Sequence, residues 1–224
     1  RSDLGRLHLR KPHLSLVMHE RGSNVEDLLA PYLVDFRKPG VPAGFGFQLK
    51  IVEGTILLRD AQADRLWRLE PVQGDLDMPT EADQPITVEG AASVAGPQAS
   101  GLLTFTLALE AANGPTPPST VPGTLTAEAK AVPSALLGVL MRRFLPQAEL
   151  DGSVSGRLQL AWAQQLEMEA ELRAPRLDFS ASAWQNERLQ LKQLNASAGL
   201  TWDGRRLELR PSSIDCQAGE VSAS

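Results

Sequence analysis

Apolar and polar residues alternate with a period of two along most of the chain. In the clearest stretch, Leu103, Phe105, Leu107 and Leu109 alternate with Ala108 and two threonines. On a β-strand, side chains separated by two residues lie on one face, so this pattern predicts strands with one apolar face and one polar face.

The second half of the chain shows the same pattern more regularly. Around a short Gln-rich turn, Leu158 and Leu160 precede Leu166, Met168 and Leu172, and charged or polar residues occupy the positions between them. Further apolar stripes follow, containing Leu177, Phe179, Leu194, Leu200, Trp202, Leu207 and Leu209. These stripes predict a series of antiparallel hairpins.

Two dipeptides carry turn signals between strands. Asp203-Gly204 predicts a two-residue hairpin connection. Glu53-Gly54 predicts a turn between a strand over 45–51 and a returning strand over 56–58.

Two stretches depart from the alternation and predict short helices. The first covers 24–33, where Asn24 can cap the helix and leucines form its apolar side. The second covers 133–145, where Pro133 suits the first turn and Pro146 ends the helix. A Pro-rich loop over 113–123 divides the chain into a segment 1–112 and a segment 124–224.

Together these patterns predict an all-β fold, a long, twisted antiparallel sheet curved into a groove of the β-taco or open jelly-roll kind, with two short helices. The alternative is a β-sandwich, in which the apolar stripes of two sheets face each other as an ordinary core. The Leu-rich, aromatic-poor stripes favour the groove.

Composition and charge exclude several classes of function. The net charge is −5 and the basic residues are dispersed, which argues against nucleic acid as a partner. No apolar run reaches the roughly 20 residues of a membrane span. The chain begins without methionine and is in a strand-like pattern by Leu7, so we expect both ends to continue into a longer protein.

No residue cluster predicts catalysis, a metal site or a cofactor. His8 and His13 fall on opposite faces of a strand, and His19 lies too far from His13 for both side chains to bind one metal ion. Cys216, the single cysteine, is expected to be a buried small apolar residue. Carboxylates at spacing two, such as Asp75 and Asp77, are expected to form a solvated strand face.

The opening of the chain resembles the AsmA-like family. The resemblance covers an alternating strand, a proline and a second strand over Leu7–Leu16, then a Gly, an Asn and a short helix with paired leucines over Gly22–Leu29. The later hairpins, with Asp-Gly turns and the run Leu150–Gly156, are similar to the repeats of AsmA and TamB proteins.

This resemblance implies a periplasmic segment of an envelope protein whose apolar groove conducts phospholipid between the inner and outer membranes or supports outer-membrane assembly. It implies phospholipid acyl chains as the partner, an inner-membrane anchor outside this chain, contacts with outer-membrane proteins, and no enzymatic role. The alternative function is a structural or interaction β-sandwich module of a cell-envelope or surface protein without a lipid groove.

If the groove is present, its lining is predicted to be sixteen residues from the apolar stripes, which are Leu103, Phe105, Leu107, Leu109, Leu158, Leu160, Leu166, Met168, Leu172, Leu177, Phe179, Leu194, Leu200, Trp202, Leu207 and Leu209.

Overall fold

A computed structural model describes residues 2–19, 22–25, 27–28, 45–79, 84–95, 100–110, 122–141, 149–180 and 188–222. The described residues form one open sheet of twelve strands and one helix long enough to pack. The strands are β1 (Ser2–Arg10), β2 (His13–His19), β3 (Gly22–Ser23), β4 (Phe45–Asp60), β5 (Arg65–Met78), β6 (Ile86–Ala95), β7 (Ser100–Leu109), β8 (Gly123–Pro133), β9 (Glu149–Trp162), β10 (Leu166–Ser180), β11 (Arg188–Trp202) and β12 (Leu207–Ser222). The helix is α1 (Ser134–Met141).

From β4 to β12 each strand pairs antiparallel with the next strand in sequence. The exception is at the other edge of the sheet, where β1 and β2 lie one after the other along β4 and both pair with it in parallel. The prediction of a mostly antiparallel, open sheet is confirmed, whereas the sandwich alternative is not supported, because the described strands belong to a single sheet.

The predicted turn at Glu53-Gly54 is wrong. Strand β4 continues through these residues, and they form a bulge in its pairing with β5. Glu53 takes a positive φ of 55°. The edge strand breaks at the same level, where the Lys11 N–H donates to the Val52 carbonyl and the Thr55 N–H donates to the Pro12 carbonyl. The extra backbone length is therefore absorbed within the sheet and the chain does not reverse.

Similar irregularities occur at neighbouring levels in other strands, and we call their line across the sheet the crease. It is marked by the positive φ angles of Lys11, Glu53, Ala131 and Gln193 and by register shifts in the β5–β6, β8–β9 and β9–β10 pairings. Among the antiparallel pairings from β4 to β12, those of β6 with β7, β7 with β8 and β10 with β11 run without a register shift. Because bulges bend strands and increase their twist, the crease is where the sheet curves.

Helix α1 covers the apolar face on one side of the crease. Its residues are mostly apolar, as expected for a buried helix. Val139 packs with Leu58 and Trp67 of β4 and β5, and Leu137 packs against the core cluster of β9 to β11. All the buried hydrophobic residues of the described strands except Ala92 lie in this part of the sheet, which we call the covered half.

The ends of α1 differ slightly from the prediction. Pro133 is the last residue of β8, and the helix begins at Ser134, whose buried hydroxyl donates to the Gly152 carbonyl at 3.2 Å. Residues 142–148, including the predicted helix end, lie outside the described residues. Of the other predicted helix, residues 24, 25, 27 and 28 are helical and 29–33 are not described.

The predicted Pro-rich loop is described only at Pro122 and Gly123. On either side of it, β7 and β8 pair directly, from Leu109 with Gly123 to Leu102 with Lys130. The hairpin at Asp203-Gly204 is present, but its loop has four residues rather than two, because Trp202 and Leu207 form the last pair. The Asp203 carboxylate accepts hydrogen bonds from the Arg205 and Arg206 N–H groups and closes this loop.

Candidate functional site

The part of the sheet on the other side of the crease, which we call the open half, carries a continuous apolar surface. One residue from each of ten neighbouring strands lies at the same level on this face. We call this set the apolar row, and it consists of Leu7, Leu49, Leu76, Val88, Leu107, Leu125, Leu160, Met168, Leu200 and Leu209. Since strands are about 4.8 Å apart, the row is about 40 Å long.

Smaller residues lie beside the apolar row, between it and the crease. Gly74, Gly90, Ala127, Ala170 and Ala198 occupy this level in five of the strands. Ile51, Phe105 and Leu158 lie at the same level, so small residues alternate there with larger apolar ones and the level remains apolar.

Two aromatic side chains lie over glycines on this face. The ring of Phe105 covers Gly90, its cross-strand partner. The indole of Trp162 covers Gly123 in the same way. In each pair the absence of a Cβ leaves the space that the ring occupies, so neither aromatic could adopt this position over a larger residue.

The open half has little cover among the described residues. The inner members of the apolar row are half-buried, whereas Leu209 is 73% exposed and Leu7 is 45% exposed at the two edges. Phe105 is 43% exposed and Trp202 is 47% exposed. Large continuous patches of exposed apolar surface are rare on soluble monomers and are typical of interaction sites.

Register places the sixteen predicted lining residues on the same face of the sheet, but in two environments. Twelve lie in the open half. The other four, Leu172, Leu177, Phe179 and Leu194, belong to the core cluster of the covered half. Leu177 and Leu194 are 8% and 6% exposed, so little of their surface is accessible to a ligand.

Sequence reasoning did not include five members of the apolar row in the lining, which are Leu7, Leu49, Leu76, Val88 and Leu125. Leu49 and Val88 lie in alternating stripes that the sequence shows, whereas the patterns around Leu76 and Leu125 are weaker. Leu76 stands between two aspartates, and the residues after Leu125 on its face are alanines. Only the pairing of these strands with their Leu-rich neighbours shows that they complete the row.

The opposite face of the sheet is polar and is held by cross-strand ion pairs. Arg210 of β12 reaches Glu167 and Glu169 of β10 at 3.0 and 3.1 Å, and Lys50 lies 3.5 Å from Asp75. A hydrogen bond from Gln165 and then the contact with Arg210 lower the pKa of Glu167 from its ordinary value. The predicted solvated carboxylate face is therefore confirmed for Asp75 and for the glutamates of β10.

The histidines and the cysteine occupy separate places. His8 and His13 are exposed, and the His19 ring lies 3.0 Å from the Asp27 carboxylate. Cys216 is half-buried against the core cluster of the covered half. Within the described residues, no group of three or more His, Cys, Asp or Glu side chains is arranged to hold a metal ion.

A cavity of about 940 Å³ lies at the far end of the covered half, between the starts of β5 and β9 and the ends of β8 and β10. Trp67, Leu150 and Phe179 form apolar parts of its wall, while Arg176 and Asp178 form an ion pair at 2.8 Å beside it. This ion pair raises the pKa of Arg176. The wall of the cavity therefore combines apolar and charged side chains, whereas the surface of the open half is apolar.

Comparison of the chain with protein-family models, with curated proteins and with solved structures finds no match in any of the three. None of the helices in the described ranges is long and apolar enough to cross a membrane.

Proposed function

We propose that the open half of the apolar face binds the acyl chains of phospholipids, and that the chain is a lipid-conducting segment of a periplasmic protein similar to AsmA and TamB. In this proposal the protein moves phospholipid between the inner and outer membranes or supports outer-membrane assembly. It is anchored to the inner membrane by a segment outside this chain, and it performs no chemical reaction.

The observation that carries the proposal is the apolar row. Ten side chains in ten strands follow one another at one level without a polar residue among them. A hydrocarbon needs such continuity, because an interrupting polar group would lose its hydrogen bonds to water wherever the tail covered it.

The energetics agree with this role. Exposing a methylene group to water costs about 0.8 kcal/mol, so moving a tail of about 16 carbons through water faces a barrier on the order of 10 kcal/mol. An apolar surface that accompanies the tail removes most of this barrier. Leu, Val and Met are suited to such a surface because they have no hydrogen-bonding group that the tail would leave unpaired.

The dimensions agree as well. A bilayer hydrocarbon core of about 30 Å contains two layers of tails, so one tail extends about 15 Å. The apolar row, at about 40 Å, is longer than two such tails placed end to end. Exposed leucines at both edges let a tail enter or leave along the row.

Native mass spectrometry of the purified chain tests the proposal. We expect co-purifying phospholipid, or binding of added phospholipid, at a ratio of at least one lipid per chain. A folded chain that retains no lipid and leaves a fluorescent fatty-acid analogue unbound would contradict the proposal. That result would favour the alternative function, a structural or interaction module whose apolar face is covered by protein.

A further inference from the structure

Two tryptophans mark the end of the open half that lies furthest from the crease. Trp162 of β9 and Trp202 of β11 both pair with Leu166 of β10, so the three side chains lie side by side on the apolar face. They stand one level, about 7 Å, beyond the apolar row. We call these three residues the rim. Trp202 is 47% exposed, and the other two are half-buried.

Beyond the rim the chain becomes polar within each hairpin loop. The β9–β10 loop, residues 163–165, contains two glutamines, and the β11–β12 loop, residues 203–206, contains an aspartate and two arginines, all exposed. Tryptophan combines a large apolar ring with a hydrogen-bonding N–H and is enriched where hydrocarbon meets water. Along the strands, the open half therefore passes from aliphatic residues through indoles to polar loops. A lipid has the same order from its tails to its headgroup.

The opposite direction along the strands leads into a packed core. Past the crease, helix α1 packs on the covered half, where Val154 and Ala174 are each 2% exposed. A charged headgroup on that side would lose its hydration, which is costly without a compensating partner. Of the two directions along the strands, only the one toward the rim leaves the headgroup of a lipid in water.

The loop beside Trp202 carries positive charge. Arg205 and Arg206 are exposed, and neither side chain makes an ion pair or hydrogen bond with any residue that the structure describes. The Asp203 carboxylate is already engaged, because it accepts the backbone N–H groups of both arginines at 2.8 and 2.7 Å. Glu208 follows Leu207 by one residue and therefore lies on the polar face of β12. Two guanidinium groups next to the rim suit the phosphate of a lipid headgroup.

We propose that a phospholipid on the open half places its glycerol and headgroup at the rim, with its phosphate beside Arg205 and Arg206, and that these arginines favour anionic headgroups. This inference rests on the proposed function, because it assumes that the apolar row holds the tails. It adds the orientation of the lipid and the class of headgroup. A headgroup with net negative charge gains more from the arginines than a zwitterionic one, whose ammonium group offsets the phosphate.

Exchange of the headgroup at constant tails tests the selectivity. In competition measured by native mass spectrometry, the chain should bind phosphatidylglycerol at least about fivefold more tightly than phosphatidylcholine with the same acyl chains. The double variant Arg205→Gln, Arg206→Gln should bind the two lipids about equally and should bind uncharged diacylglycerol as the wild type does. The matched control Lys130→Gln, Arg173→Gln removes two positive charges from the polar face and should keep the wild-type preference.

Fluorescence quenching tests the orientation. A phospholipid with a spin label on its headgroup should quench the tryptophan fluorescence of the wild type more strongly than a phospholipid labelled at the end of a tail. The double variant Trp162→Phe, Trp202→Phe should lose most of the quenching by the headgroup label. Trp67 should contribute little to it, because this residue is 8% exposed in the covered half.

The outcomes separate this inference from the proposed function. A folded chain that binds neither phospholipid and no diacylglycerol would overturn both. Equal binding of the two phospholipids by the wild type, or a preference that the arginine variant retains, would overturn the role of the arginines while acyl-chain binding stands. Stronger quenching by the tail-end label than by the headgroup label would overturn the orientation in the same way.

Discussion

The ring of Phe105 lies on Gly90, so closely that a methyl group at Gly90 would collide with two atoms of the ring and lie tight against a third. The two residues are direct cross-strand partners in β6 and β7, which pair without a register shift. Phe105 is nevertheless 43% exposed on its outer side. The ring therefore fills the space above Gly90 and is part of the apolar surface of the open half.

This relationship predicts that Gly90→Ala changes the free energy of unfolding in opposite directions in the wild type and in a Phe105→Ala variant. Gly90→Ala should destabilise the wild type by about 1–3 kcal/mol because the ring must leave its position. In a Phe105→Ala background the same substitution should be neutral or stabilising by up to about 1 kcal/mol. The reason is that alanine lowers the conformational entropy of the unfolded chain relative to glycine. Chemical denaturation of the four proteins measures both effects. An equal loss of stability in both backgrounds would show that Phe105 is not the obstacle.

A charge on the apolar face should act differently in the two halves of the sheet. Leu160→Glu lies in the open half, where water reaches the carboxylate, so we expect the fold to survive and lipid binding to fall at least about tenfold. Leu177→Glu puts the same charge into the core of the covered half and should cost several kcal/mol of stability. Thermal melting and acyl-probe titration separate the two outcomes.

The neighbouring position provides the matched control for Leu160→Glu. Gln159→Glu introduces the same charge one residue away, on the polar face of β9. It should leave both the melting temperature and lipid binding close to the wild-type values. If Gln159→Glu reduced lipid binding as much as Leu160→Glu, the effect would come from net charge, and the assignment of the binding face would be wrong.

Gly199 allows Arg210 to cross β11 and reach β10. A Cβ at Gly199 would lie 3.0 Å from the Arg210 Cβ and 3.4 Å from its Cδ. Gly199→Ala should therefore displace Arg210 and raise the pKa of Glu167 toward its ordinary value, with a loss of stability of no more than about 1 kcal/mol because the ion pairs are solvated. NMR titration of the Glu167 carboxyl measures the shift. With Arg210→Ala already present, adding Gly199→Ala should not change this pKa.

The loop closed by Asp203 should make stability depend on pH in the acid range. Hydrogen bonds from the backbone of Arg206 and then Arg205 lower the pKa of Asp203 from its ordinary value of 3.8. A carboxyl with a lowered folded-state pKa stabilises the protein fully above its unfolded value, and this contribution is lost as the pH falls through the folded value. The melting temperature of Asp203→Ala should therefore lie below that of the wild type at pH 7, and the difference should shrink below about pH 4. A difference that grows on acidification would contradict this assignment.

The sequence by itself determined most of the strands, the polarity of their two faces and the position of the hairpin at Asp203-Gly204, because alternation and turn chemistry are local properties. It did not predict β5 and β8, and it predicted a two-residue loop where the hairpin has four. It also indicated which residues share the apolar face, since side chains two residues apart lie on the same face of a strand. It failed at Glu53-Gly54, where a turn signal occurs in a bulge. The conformation there depends on pairing with Lys11 and Pro12, which are distant in sequence.

Only the tertiary structure decided which part of the apolar face is covered and which is open. Leu160 and Leu177 are both leucines in alternating strands, and nothing in their local sequence separates them. The crease and helix α1 separate these two leucines. They place a packed core over Leu177 and leave Leu160 in a row that continues across ten strands. That row depends on the register between strands, which is set by backbone pairing across the whole sheet and cannot be read from any one segment.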